Sequence, residues 1–122
     1  REEIVKAGCE CIAYQINDVI DAMRKDSKID ISQMCVDGGP TRNKYLMQFQ
    51  SDISQKEVKI PDAEELSVIG AGYLAGESAG YYDPDDIYKA ITYNFFETKM
   101  QEQERSEKVH GWNEAVEMLL KK

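Results

Sequence analysis

Apolar residues recur at helical spacing in four segments of the chain. In the first segment they lie three or four positions apart between Ile4 and Met23, and charged residues occupy the other face. This pattern predicts a long amphipathic helix that ends near residues 24–28. Its apolar face consists of Ile4, Ile12, Ile16, Val19, Ile20 and Met23. Three more helices are predicted. The second carries Tyr45, Leu46, Phe49 and Ile53 on one apolar face. The third runs from about Ser67 to Gly80 and the fourth from about Gln101 to Leu120.

Two short segments have the composition of strands. They are Gln33–Asp37 (QMCVD) and Glu57–Pro61 (EVKIP), and the second ends at a proline that cannot extend a central ladder. The order strand, helix, strand, helix predicts a βαβα unit whose two strands are parallel neighbours joined by a right-handed crossover. Residues 80–98 are predicted to be a long connection with one helical turn near Asp85–Ala90.

The elements indicate the α/β class, but the predicted sheet is small. Two parallel strands with four helices are fewer strands than an open α/β sheet usually has, and a parallel pair normally lies inside a larger sheet. We therefore expect the chain to be a piece of a larger protein, beginning just before its first helix. An exposed strand edge and apolar face would favour self-association.

Composition excludes several classes of function. The 122 residues suffice for one domain, and 15 basic against 23 acidic side chains give a formal charge of −8. This charge has the wrong sign for a protein that neutralises a nucleic acid backbone or binds anionic lipid. No apolar run approaches the roughly 20 residues of a membrane span, and the first residues are too acidic for a signal peptide. The sequence predicts a cytoplasmic protein without nucleic acid or membrane partners.

Few residues are candidates for metal binding. The three cysteines form no C-x-x-C, and the single histidine, His110, has no cysteine near it in sequence. We predict neither a metal site nor a disulfide framework.

The segment DGGPTRN, residues 37–43, follows the first strand and precedes the second helix. Ligands of open α/β sheets bind at such places, where glycines permit positive φ and close approach to the main chain, and where helix N–H groups are free. The spacing differs from the dinucleotide fingerprint and the P-loop, and Asp37 would put a negative charge beside a phosphate. Adenine or ribose is therefore a better candidate than a triphosphate. The alternative is a tight strand-to-helix turn capped by Thr41.

The third predicted helix contains glycines four residues apart, at Gly72, Gly76 and Gly80. Because each glycine inside a helix costs about 1 kcal/mol relative to alanine, some contact should offset the cost. The stripe indicates either close packing against another element or a helix wall that borders a ligand cleft.

Five segments together resemble the C-terminal domain of the FGGY-family carbohydrate kinases, most closely the glycerol kinase group. They are EEIVKAGCECIAYQINDVIDAM, VDGGPTRNKYLMQFQSDI, V-x-I-P, ELSVIGAGYLAG and FFETKMQEQER followed by GW-x-x-AV, and they cover nearly the whole chain. The resemblance implies a ribonuclease-H-like fold of the actin-like ATPase superfamily. In that family two α/β domains close on ATP, magnesium and a polyol or sugar.

The resemblance also implies which residues contact the nucleotide. VDGG corresponds to the adenosine motif, so Gly38 and Gly39 would present backbone to the nucleotide and Asn43, on the first turn of the following helix, would reach the adenine. The phosphate loop, sugar pocket, general base and most Mg²⁺ contacts belong to the N-terminal domain, which is absent. Residues 1–122 would then be the C-terminal portion of the nucleotide-side domain, with no catalytic residue and no activity alone.

Two segments differ from the usual family residues. Glycerol kinases have other residues at PTRNK and at ELSVIGAGYLAG, so the resemblance does not identify the phosphate acceptor. A non-catalytic nucleotide-binding or scaffold module with the same fold is the alternative function.

Overall fold

The computed structural model describes residues 1–62, 66–81, 83 and 91–121. The predicted helical turn near Asp85–Ala90 therefore lies outside the described residues. The described elements are α1 (Glu2–Ser27), β1 (Gln33–Cys35), a 3-10 turn (Gly39–Arg42), α2 (Lys44–Ser54), β2 (Glu57–Pro61), α3 (Leu66–Ser78), β3 (Tyr93–Phe96) and α4 (Glu102–Leu120). All four helices predicted from apolar spacing are present.

The sheet has the order β1-β2-β3 in the described part of the chain. β1 and β2 are parallel, with Met34 opposite Val58, so the predicted parallel βαβ unit is confirmed. β3 pairs antiparallel with β2, with Phe96 opposite Val58. The prediction that residues 80–98 form only a connection is therefore wrong at 93–96. Four residues are too few for a clear period-2 pattern, and the strand forms because the free side of β2 supplies its hydrogen-bond partners.

Helix α2 lies at the centre of the core. The buried apolar cluster consists of Ala13, Leu46, Met47, Phe49, Ile53 and Val58. The sequence predicted one apolar face for α2, but the helix also buries four polar residues, Gln50, Ser51, Asp52 and Ser54. α2 is covered on both sides because α1 and the segment after β3 pack against it as well as the sheet. A helix in this position needs internal partners for its polar side chains.

The predicted apolar face of α1 does not face this core. α1 packs against α2 through Ala13, Asn17 and Ile20, of which only Ile20 belongs to that face. The other five residues of the predicted face are 40% or more exposed. The small side chain of Ala13, which is fully buried, allows close approach of the two helices. The helix therefore turns its larger apolar residues away from α2.

The last helix is joined to the first by aromatic and polar contacts. The rings of Trp112 and Tyr14 stack at 5.2 Å, and the Trp112 indole N–H donates to the Asp18 carboxylate at 2.8 Å. Tyr14 also meets Phe49 of α2 edge-on at 5.5 Å. These contacts join α1 to both α2 and α4.

Helix α3 makes little contact with the other described elements. Within it only Gly76 is buried, and a β-carbon at Gly72 would meet no described atom within 4 Å. The predicted close packing along the glycine stripe is therefore not found among the described residues, and the cleft-wall interpretation stays a prediction. No helix in the described ranges is long and apolar enough to cross a membrane.

Candidate functional site

The glycine turn lies at the carboxyl end of β1, where the sequence placed it. Gly38 has φ 99° and ψ 175°, a backbone region that is essentially restricted to glycine. Its N–H donates to the Asp37 carboxylate at 2.6 Å. Its carbonyl accepts from the Thr41 N–H at 3.0 Å and from the Thr41 hydroxyl at 2.7 Å. The conformation of this turn therefore requires a glycine at position 38.

The backbone conformation does not require a glycine at position 39. Its φ is not positive, and a β-carbon built there would meet no described atom within 4 Å apart from its own chain neighbours. The packing of the described residues thus leaves room for a side chain at this exposed position. A close approach by a group from outside these residues would explain why none is present.

Asn43 is the N-cap residue of helix α2. Its side-chain oxygen accepts from the Leu46 N–H at 3.2 Å, which satisfies one free donor of the first turn. The predicted cap by Thr41 is therefore wrong, and Asn43 precedes the helix instead of lying on its first turn. Its amide nitrogen points toward α1, 3.5 Å from the Cys9 sulfur. The oxygen of this amide stabilises the helix, while among the described residues the nitrogen has only a weak sulfur acceptor.

A groove of about 540 Å³ lies between the beginning of α1 and the beginning of α2. Its surface is almost wholly apolar, and its described lining residues are Arg1, Glu2, Val5, Lys6, Cys9, Asn43 and Tyr45. The structure thus brings Asn43 into the groove, but it leaves Gly38 and Gly39 outside the described lining. The shape and polarity suit a flat ligand that needs few hydrogen bonds.

Tyr45 forms a rigid wall of this groove. Its hydroxyl donates to the Glu10 carboxylate at 2.5 Å, and its ring stacks on Phe49 with the centroids 6.0 Å apart. Burial, followed by this hydrogen bond, raises the pKa of the Tyr45 phenol above its usual value near 10. Tyr45 therefore remains a neutral donor at physiological pH.

Sequence reasoning missed most of the groove. Tyr45 could have been found, because it follows Asn43 by two positions on the first turn of α2. Val5 and Cys9 are more than thirty positions from Asn43 and carry no motif, so only the packing of α1 against α2 reveals them.

The described residues contain no group of three or more His, Cys, Asp or Glu side chains placed to hold a metal ion. The Asn43 amide nitrogen can donate a hydrogen bond, and the apolar wall, including the Tyr45 ring, can cover a flat ligand. These residues can bind and orient a ligand.

Residues 1–79 match the FGGY family of carbohydrate kinases, C-terminal domain. The chain belongs to this family. It is 43% identical over 118 residues to a glycerol kinase of Shewanella halifaxensis and 44% identical over 121 residues to one of Natranaerobius thermophilus. These matches cover 95% and 98% of the chain but 24% of each relative, so the chain spans about a quarter of the length of these FGGY kinases.

The fold agrees with this family membership. The structure of Plasmodium falciparum glycerol kinase with ADP is similar to this chain with a TM-score of 0.85 and 35% identity, over 98% of this chain and 24% of that one. The chain is thus part of a ribonuclease-H-like domain of the actin-like ATPase superfamily, as the resemblance implied. The roles of Gly38, Gly39 and Asn43 remain predictions.

Proposed function

We propose that this chain is the nucleotide-side part of an ATP-dependent carbohydrate kinase. The complete enzyme transfers the γ-phosphoryl group of ATP to a hydroxyl of glycerol or a related polyol or sugar. Membership of the FGGY kinases, relatives called glycerol kinases and a similar structure with ADP support this proposal. We further propose that this enzyme acts in the cytoplasm.

Within this chain, Gly38, Gly39 and Asn43 form the proposed adenosine contact. The observation that carries the assignment is the arrangement of the Asn43 amide. Its oxygen accepts from the Leu46 N–H, whereas its nitrogen lies at an apolar groove where, in the described part of the chain, its one acceptor is the Cys9 sulfur. A purine offers ring nitrogens as acceptors and a flat apolar face, so it matches both the donor and the groove.

The proposed role of this chain is confined to binding. Phosphoryl transfer needs positioning, neutralisation of phosphate charge by Mg²⁺ and a base for the attacking hydroxyl. We assign the base, the phosphate loop and most Mg²⁺ contacts to the remainder of the kinase, and residues 1–122 to the C-terminal part of its nucleotide-side domain. The isolated chain should therefore show no ADP release from ATP and glycerol above a blank.

The test is Asn43→Ser in the complete kinase that contains this chain. Serine keeps a capping oxygen for α2 but removes the amide nitrogen, so the fold should survive. Loss of one neutral hydrogen bond, about 0.5–1.5 kcal/mol, should raise the KM for ATP roughly two- to twelvefold. The KM for the polyol should stay nearly unchanged, because its pocket is assigned to the other domain.

The matched control is Asn113→Ser, the same substitution at an exposed position of α4. It should change neither KM. An Asn43→Ser enzyme that is folded and has an unchanged KM for ATP would show that the site assignment is wrong. A complete protein that binds nucleotide but transfers no phosphoryl group to any polyol or sugar would favour the non-catalytic module instead.

A further inference from the structure

A cavity of about 250 Å³ lies where α1 and α2 end. Its wall comes from the last turns of α1 and the loop after it, the turn between α2 and β2, and the first turn of α4. The cavity lies roughly 14–17 Å further along α1 and α2 than the groove beside Asn43, because a helix rises about 1.5 Å per residue. The two share no described lining residue. The described residues that line the cavity are Ile20, Asp21, Arg24, Ile31, Ser54, Gln55, Lys56 and Arg105.

Basic side chains outnumber acidic ones in the described wall of this cavity, although the chain as a whole is acidic. The wall contains Arg24, Lys56 and Arg105 but one acidic residue, Asp21, whereas the chain has a formal charge of −8. Arg24 contacts Asp21 at 3.2 Å, so these two charges offset each other. Lys56 and Arg105 then give the described wall two positive charges in excess.

Lys56 and Arg105 are partly shielded from solvent. Their side chains are 16% and 21% exposed. The Arg105 Nε–H donates to the Ile53 carbonyl at 2.7 Å, which fixes the guanidinium group at the end of α2. Salt and water screen partly buried charges less than charges on an open surface, so these two cations attract an anion more strongly.

A structural role explains one of these two cations. Basic side chains near the C-terminus of a helix bind its last carbonyl groups, and Arg105 does so. Lys56 instead contacts the Asp30 carboxylate at 3.1 Å, and Glu102 contacts Arg105 at 3.2 Å. Asp30 and Glu102 are exposed and are not part of the described wall, and ion pairs with exposed partners contribute about 1 kcal/mol or less. An anion in the cavity can therefore replace them.

We propose that this cavity binds a phosphate group, carried by a small metabolite or present as the free ion. A phosphate monoester has a charge of about −1.5 to −2 at pH 7, which matches the two excess positive charges. Its oxygens can accept from the Lys56 ammonium group and from the guanidinium groups of Arg24 and Arg105, whose planar fork suits bidentate contact with phosphate. Ile20 and Ile31 provide an apolar wall for a carbon skeleton. This proposal does not rest on the proposed function, since it involves neither ATP nor the groove.

The test is isothermal titration calorimetry of the complete kinase that contains this chain, with inorganic phosphate and with glycerol 3-phosphate. A non-hydrolysable ATP analogue and glycerol fill the nucleotide and acceptor sites, and the ionic strength is held constant. We expect saturable binding with a Kd below about 1 mM. Tighter binding of glycerol 3-phosphate would support a phosphorylated metabolite as the ligand, and tighter binding of inorganic phosphate would support the free ion.

Lys56→Gln removes one positive charge and keeps a long polar side chain. It should weaken phosphate binding roughly 10- to 150-fold, as expected for the loss of a hydrogen bond between charged groups. Arg24→Gln, at an exposed position of α1, should weaken binding in the same direction and keeps the test decisive if Lys56→Gln does not fold. The matched control is Lys25→Gln, which removes the same charge at an exposed position outside the described wall and should leave the Kd unchanged.

The proposal would be overturned if the unaltered kinase showed no saturable binding, or if Lys56→Gln and Lys25→Gln gave equal Kd values. Phosphate binding that depends on Lys56, in a protein that does not use ATP, would contradict the proposed function and support this site. An active kinase whose phosphate binding does not change in Lys56→Gln would do the opposite.

Discussion

Asp52 anchors the segment after β3 to the helix that begins at Asn43. It is 8% exposed, and one of its carboxylate oxygens accepts from the Lys99 N–H at 2.7 Å and the Met100 N–H at 3.1 Å. The Gln48 amide donates to the same oxygen at 3.1 Å. Replacing Asp52 by alanine would leave two main-chain N–H groups without their acceptor.

The expected loss follows from these hydrogen bonds. Each main-chain N–H group left without its acceptor costs about 1–3 kcal/mol, so Asp52→Ala should lower the free energy of unfolding by about 2–6 kcal/mol. Asp52→Asn keeps an oxygen at the same position and loses only the charge, which contributes about half of each bond. Its destabilisation should be about half as large. For a chain of this size the alanine variant should melt roughly 8–24 °C lower.

Urea and thermal unfolding of the isolated chain, followed by circular dichroism, would measure both variants. Asp26→Ala and Asp26→Asn are matched controls at an exposed position and should stay within about 0.5 kcal/mol of the unaltered chain. If Asp52→Ala also fell within that range, or if Asp52→Asn were as damaging as alanine, the hydrogen bonds of Asp52 would not be what holds this segment.

Three further predictions concern the turn, the groove and the exposed apolar face of α1. Gly38→Ala should cost about 1–3 kcal/mol of folding stability because of the positive φ at this position. Gly39→Ala should cost less stability, yet in the complete kinase it should raise the KM for ATP. An unchanged KM for ATP in folded Gly39→Ala enzyme would mean that no ligand approaches Gly39. The raised pKa of Tyr45 makes the folded chain hold a proton that the unfolded chain releases above about pH 10, so stability should fall as pH rises beyond that value. Urea midpoints between pH 8 and 11 should fall less steeply for Tyr45→Phe, and equal slopes would contradict the bond to Glu10. Because Ile12, Ile16 and Val19 of α1 are exposed, light scattering of the isolated chain should show a dimer or larger species that Ile16→Glu converts to monomer; a monomeric unaltered chain would contradict self-association through this face of α1.

Local rules account for the features that the sequence predicted. Helix positions follow from apolar spacing, because the helical repeat is a property of the backbone and not of its neighbours. Gly38 was predictable for the same kind of reason, since a strand that turns at once into a helix needs a conformation that only glycine readily adopts.

Tertiary packing decided the rest of the fold. A short strand such as Tyr93–Phe96 forms only when another strand edge is available, so its pairing with β2 could not be seen in four residues. The burial of Ser51 and Asp52 beside the apolar face of α2 follows from the helices and loops on both of its sides.

The candidate site also has features that the sequence predicts and features that only the packing of the helices reveals. The resemblance to the FGGY kinases implied a role for Asn43, but only the position of α1 shows that its oxygen caps the helix while its nitrogen lies at the groove. The direction in which the apolar face of α1 points could likewise not be predicted from the sequence. Apolar spacing shows that a helix has an apolar face, but contact with α2 through Ala13 and Asn17 determines that this face points away from the core.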